Sequence, residues 1–227
     1  RARSIRELQN VVEVTRSLKR FFKKSNRPVI IVNAGGFTMN DFMPANERAD
    51  KYKLIASALS QIDTIGVEIT FQTMPPFPWH FGGQRFHNLF MDPDEIVAFC
   101  STHNMRVTLD ISHSKLYCNL KHISFTQFLD KVAPYAAHLH VVDARGTDGE
   151  GLQIGDGDID FVMCGQKFLE LCPNASFIPE VWQGHKNDGE GFWLALERLE
   201  RAFGADLAIG GHGIQVTPSP RHTFSNE

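Results

Sequence analysis

Four side chains able to share a cation stand at the ends of short apolar runs. They are Glu68 in Ile65-Gly66-Val67-Glu68, Asp110 in Val107-Thr108-Leu109-Asp110, His140 in His138-Leu139-His140-Val141-Val142 and Glu180 in Phe177-Ile178-Pro179-Glu180. A buried strand gains nothing from a carboxylate at its end unless something there needs charge. Three carboxylates and one imidazole form a mixed oxygen and nitrogen donor set. Such a set suits Mn, Mg or Co in preference to Zn. It also leaves positions in an octahedral shell for two substrate oxygens. Glu68 and Glu180 arrive from separate strands, so they can flank a substrate and move a proton; sequence neighbours could not. His113, three residues past Asp110, is a further ligand or a hydrogen-bond partner for substrate. His140 is preferred to His138 on the expectation that the two face opposite sides of their strand.

The elements that must position these groups alternate along the chain. Residues 4 to 24 carry apolar side chains at three- and four-residue spacings, an amphipathic helix. Val29 to Val32 is a continuous apolar run, as in a parallel strand covered on both faces. A helix over 46 to 62 precedes a strand from Ile65 to Thr70. A long irregular segment, 71 to 92, holds Phe77, Trp79 and Phe81 among prolines. Aromatics there either cover a site and stack on a sugar face or fill space between helices. Asp92 opens a helix to about His103, and a strand runs from Arg106 to Ser112. Ser124 caps a helix through Ala136, and a strand follows from Ala137 to Asp143. After an irregular, glycine-rich 144 to 158 come a helix to Leu171, a strand from Ser176 to Val181 and a helix from Glu190 to Phe203. Alternating strands and helices imply a parallel sheet. Ligands at strand C-termini point to a (β/α)8 TIM-type barrel of which about five βα units are visible. A doubly wound sheet is the alternative. Residues 1–205 read as a single domain and 206–227 as a tail.

Bulk properties narrow the function. The 227 residues are 42% hydrophobic and carry 23 basic and 26 acidic side chains, net charge -3. That is enough for one large core and offers no basic surface for nucleic acid. Four cysteines in no paired motif read as reduced thiols of a cytoplasmic protein. No apolar run approaches the roughly 20 residues needed to span a bilayer. The chain opens at Arg1 inside a helix, which suggests a piece of a longer polypeptide; a homo-oligomer is equally open.

Glu68, Asp110-x-x-His113, His138-x-His140 with Asp143 and Arg145, the segment Ile154-Gly155-Asp156-Gly157-Asp158-Ile159-Asp160-Phe161, and Glu180 together resemble the xylose-isomerase-like TIM-barrel superfamily. That superfamily holds sugar and sugar-phosphate isomerases and epimerases beside AP-endonuclease-type repair enzymes. The resemblance covers roughly residues 28 to 203. It implies that Glu68, Asp110, His140 and Glu180 hold one divalent metal and that Glu68 and Glu180 move the proton. It further implies that His113 and Arg145 hold substrate hydroxyls. It places Glu180 on the last strand, with three strands upstream of Arg1. The second glutamate that epimerases tend to carry six residues past the first is Met74 here. The extra histidines of the three-zinc repair branch are absent, so a single-metal enzyme fits better.

The expected activity is isomerisation or epimerisation of a small sugar or sugar phosphate through an enediolate, with Trp79 offered as a stacking residue. A dehydratase or lyase acting on a polyol or keto acid would use the same metal and base. A non-catalytic accessory domain of a larger protein is the third possibility. Gly146 to Gly157 is a candidate phosphate cradle.

Overall fold

The computed structural model describes residues 2–80 and 83–204. Five strands form one sheet: β1 Val29–Val32, β2 Glu68–Gln72, β3 Val107–Asp110, β4 Ala136–Val141 and β5 Ser176–Pro179. All four neighbouring pairs are parallel, and the spatial order is the chain order. A doubly wound sheet would reverse direction at a switch point. This sheet never reverses, so it is wound one way, as in a barrel. Right-handed crossovers then put the connecting helices on one face.

The helices are α1 Ala2–Ser17, α2 Ala45–Leu59, α3 Pro93–His103, α4 Ile111–Lys121, α5 Phe125–Val132, α6 Phe161–Leu171 and α7 Lys186–Phe203. Their starts follow local chemistry. Asp92 accepts from the Asp94 and Glu95 amides, Ser124 from Gln127, and Asp160 from Val162 and Met163. Inside α7, Asn187, Asp188 and Gly189 take left-handed backbone angles, so the regular helix begins at Glu190 as expected.

Strand alternation divides the sheet into two faces. Phe71, Leu109 and Leu139 join a core with Ile96, Phe99, Leu116, Phe128 and Leu129 of the helices. Val12 of α1 packs with Ile30 and Ile69 in a smaller cluster. The opposite face is polar on its central strands. Thr70 and Thr108 hydroxyls meet at 2.8 Å, and His138 Nδ1 lies 2.7 Å from the Ser176 hydroxyl.

The expected boundaries fail in informative places. β2 does not begin at Ile65. Ile65 is 80% exposed, Gly66 has φ +80°, and the Val67 amide bonds back to Thr64. The apolar triplet is therefore a turn, and the strand starts at Glu68, opposite Val29. α1 stops at Ser17 and continues only as a 3-10 turn, Lys19–Phe21. The third strand does not reach Ser112, because the Asp110 carboxylate accepts the His113 amide and starts α4 at once. The segment after β2 is more ordered than a loop. Phe71 stacks on Phe90 at 4.8 Å, Phe42, Phe77 and Phe86 cluster at 5.1–5.6 Å, and Trp79–His80 pairs with Gly83–Gln84. Most of its aromatics are packing. The tail expected at 206–227 lies outside the described residues.

Candidate metal centre

β3, β4 and β5 are neighbours, so their C-terminal ends deliver side chains to one place. Asp110 is the last residue of β3, His140 the fifth of six in β4, and Glu180 follows β5 directly. One ligand-type atom from each lies within 4.8 Å of the others. His140 Nδ1 is 2.6 Å from Glu180 Oε2 and 3.7 Å from Asp110 Oδ2. Asp110 is 1% exposed. Its Oδ1 accepts the His113 amide at 3.0 Å, and its Oδ2 accepts from Gln72 Nε2 at 3.0 Å and faces His113 Nδ1 at 3.2 Å. The Thr73 hydroxyl, which accepts the Asp110 amide at 2.9 Å, fixes the strand end.

The electrostatics suit a cation. Burial works to discharge His140, yet hydrogen bonds and charge from Asp110 and Glu180 outweigh it and hold the ring's pKa up at about 9. Burial opposes ionisation of Asp110 as well, but His113 and His140 hold its pKa below the usual value. The field that keeps a proton on His140 would equally hold a divalent ion. Asp110 Oδ2 and Glu180 Oε2 offer hard oxygen lone pairs, and His140 Nδ1 offers one once an ion takes the proton's place, so the residues fit such an ion.

Glu68 does not join this group. It is the first residue of β2 and sits at the other end of the strand, about 13 Å from Gln72 at ordinary strand rise. There it forms a two-pronged ion pair with Arg106, at 2.7 and 2.6 Å. The residue that reaches the cluster from β2 is Gln72, on the same face and one full strand length later. The apolar Ile65-Gly66-Val67 run hid this, although Gly66 was a signal that the strand begins later. Glu68→Gln is accordingly expected to cost about 1 kcal/mol or less in urea unfolding. It should leave metal binding unchanged; a loss of binding would return Glu68 to the centre.

Residues 1–202 match the xylose isomerase-like TIM barrel family. The chain belongs to that family. Solved structures agree in fold. A D-tagatose 3-epimerase-like protein superposes with TM-score 0.62 at 20% identity, covering 89% of this chain and 70% of that one. A xylose isomerase domain protein from Planctomyces limnophilus gives 0.60 at 16%, covering 89% and 65%. The probable 3-DHS dehydratase AsbF from Bacillus anthracis gives 0.57 at 14%, covering 85% and 68%. The protein MJ1311 of Methanocaldococcus jannaschii is 30% identical over 122 residues, which is 51% of this chain and 38% of that protein. The chain thus spans well under two thirds of that relative's length.

The other candidates within this family member are distributed unevenly. His113 lies at the centre, its Nδ1 2.9 Å from the Thr73 carbonyl and its Nε2 3.2 Å from Glu150 Oε2. Burial disfavours its charge, but Asp110 and Glu150 raise its pKa to about 9. Arg145 is held elsewhere: it bonds the Asp156 carbonyl and lies 3.9 Å from Asp158. Trp79 is 69% exposed on its short hairpin. His138 does not face away from His140. Residues two apart on a strand share a face, and the two rings stand 5.3 Å apart. His138 is one step further from the strand end, where burial and then His140 push its pKa down to about 4.

The glycine-rich segment is no phosphate cradle, because its amides are already used. Asp143, fully buried, accepts the Ala144 and Ile159 amides on Oδ1 at 2.8 and 3.1 Å. Its Oδ2 accepts those of Gly155 and Gly157 at 2.9 and 2.8 Å. A Cβ at Gly157 would overlap the Ala144 carbonyl and the Asp143 carboxylate, which explains that glycine. The hairpin of Asp143–Arg145 with Gly149–Leu152 is further pinned by the Trp182 amide to the Gly151 carbonyl, 2.8 Å. Glu150 is thereby carried to His113. Nothing in its local sequence marked it; only the hairpin brings it there.

Proposed function

We propose that this chain is a divalent-metal-dependent isomerase or epimerase of sugars or sugar phosphates. The observation that carries the reading is the convergence of Asp110, His140 and Glu180 at the ends of adjacent parallel strands. Mn, Mg or Co fits this donor set better than Zn, since no thiolate is near and oxygens dominate. The four cysteines are free and buried, and burial pushes Cys100 and Cys118 up to about 12, so none of these thiols is poised as a nucleophile. Membership of a family with epimerase, isomerase-domain and dehydratase neighbours supports an enzyme. The reduced thiols agree with a cytoplasmic setting, and no helix among the described residues is long and apolar enough to cross a membrane.

The bound cation would supply Lewis acidity to a substrate carbonyl, acidifying the neighbouring C–H. The chain's residues do the rest. Glu180, whose side chain is 50% exposed, faces the open end of the centre and takes the proton. The substrate's electron pair moves toward its carbonyl oxygen as an enediolate forms. Returning the proton to the former carbonyl carbon, while the hydroxyl proton passes to the former carbonyl oxygen, completes isomerisation and leaves Glu180 ionised again. His113 orients a substrate oxygen, with Thr73 and Glu150 holding its ring. Glu150, 3.2 Å from His113 Nε2, is a further carboxylate that would return the proton if a single carbon is inverted.

The dehydratase reading begins with the same proton removal and differs only in expelling a hydroxyl from the next carbon. Product analysis separates the two. The test of the metal reading is titration of the full-length protein with Mn2+. Binding should be tight in the wild type and weakened at least a hundred-fold in Asp110→Ala. A wild type that binds no Mn2+ at millimolar concentration would leave the scaffold reading instead.

A further inference from the structure

We propose that Gln72 is a fourth, neutral ligand of this centre, its amide turning over to present Oε1 when a cation binds. The inference rests on the metal reading above. Gln72 Nε2 lies 3.0 Å from Asp110 Oδ2 and 3.1 Å from His140 Nδ1. Nδ1 in turn lies 2.6 Å from Glu180 Oε2. With both carboxylates ionised, no placement of hydrogens satisfies all three contacts. If Nδ1 carries a proton and gives it to Glu180, the Gln72 amino group faces another donor. If Nδ1 is bare, its lone pair faces a carboxylate oxygen. If the amide is turned with no cation present, Oε1 faces Asp110 Oδ2, acceptor against acceptor. One positive ion at the meeting point removes every conflict, because all four groups then offer a lone pair to it.

Local structure favours the same role. Gln72 is the last residue of β2, so it projects from the strand end that faces Asp110 and His140. The two strands are locked below it by the Thr70–Thr108 hydroxyl pair. The reach of the amide is therefore set by packed backbone and not by a loop. The chemical consequence is a matter of charge. Asp110 and Glu180 alone balance a divalent ion, so the centre carries no surplus negative charge. Such a centre resists a developing substrate oxyanion less than one with a third carboxylate would. It also leaves Glu180 as the one half-exposed carboxylate among the four, since Asp110 is buried.

The experiment compares Mn2+ binding by full-length wild type, Gln72→Met and Gln72→Glu, using calorimetry and water-proton relaxation. Methionine keeps the volume without an oxygen. The expected results are roughly ten-fold weaker binding in Gln72→Met with one additional water on the ion, and roughly ten-fold tighter binding in Gln72→Glu. An unchanged water count in Gln72→Met, or weaker binding in Gln72→Glu, means that Gln72 only props Asp110 and overturns the proposal while the metal reading stands. Should Gln72→Met not fold, the direction of change in Gln72→Glu decides. A wild type that binds no Mn2+ ends both readings together.

Discussion

Glu180→Gln is expected to leave the protein folded and to lower turnover by about three orders of magnitude. Glu180 follows β5, and its side chain is half-exposed. Its packing role is slight: the backbone amide bonds Val141 at 3.3 Å, which the substitution does not touch. An amide of the same shape keeps that geometry but cannot accept the substrate proton. Exchange of substrate C–H hydrogen with solvent deuterium should fall in step with turnover, because both need the same proton transfer. Unfolding midpoints should match the wild type. Wild-type turnover on the substrate that the native protein uses would remove Glu180 from the mechanism.

Asp143→Ala is expected to destabilise the protein by about 4 kcal/mol, a large share of a typical domain's stability. The carboxylate is fully buried and accepts four backbone amides, from Ala144, Gly155, Gly157 and Ile159. Deleting it strands those donors away from water. Asn is little better. Its amide oxygen can face only one pair of N–H groups, and its amino group then meets the other pair donor to donor. Urea unfolding of the two variants gives the numbers, and a loss below about 1 kcal/mol in both would mean that water reaches this segment. The effect on the candidate metal centre is indirect. Asp143 shapes the hairpin that brings Glu150 to His113, so a folded remnant should bind Mn2+ yet position His113 poorly.

The two expectations differ in what revealed them. The position of Glu180 was legible because an apolar run ending in a carboxylate is a local pattern, and β5 forms where that pattern says. Asp143 stood in the sequence beside Arg145 as part of a resemblance, with nothing to say that its charge would be spent on backbone. Which use a carboxylate finds depends on what folds against it. Here residues twelve to sixteen positions later return to it.

Composition and periodicity by themselves determined the parallel α/β class and the five strands, and they named three residues that the fold brings to adjacent strand ends. Strand cores are continuous apolar runs, and the residues ending β3, β4 and β5 project from the same end whatever the exact register. Only the tertiary structure decided the fourth strand-end residue. Glu68 and Gln72 share a face of β2, and the choice between them rests on where pairing with Val29 begins. That pairing is a property of two strands, so no reading of one strand could contain it. The single winding direction of the sheet was likewise decided only by assembly, since helices of the same pattern can cover one face or two.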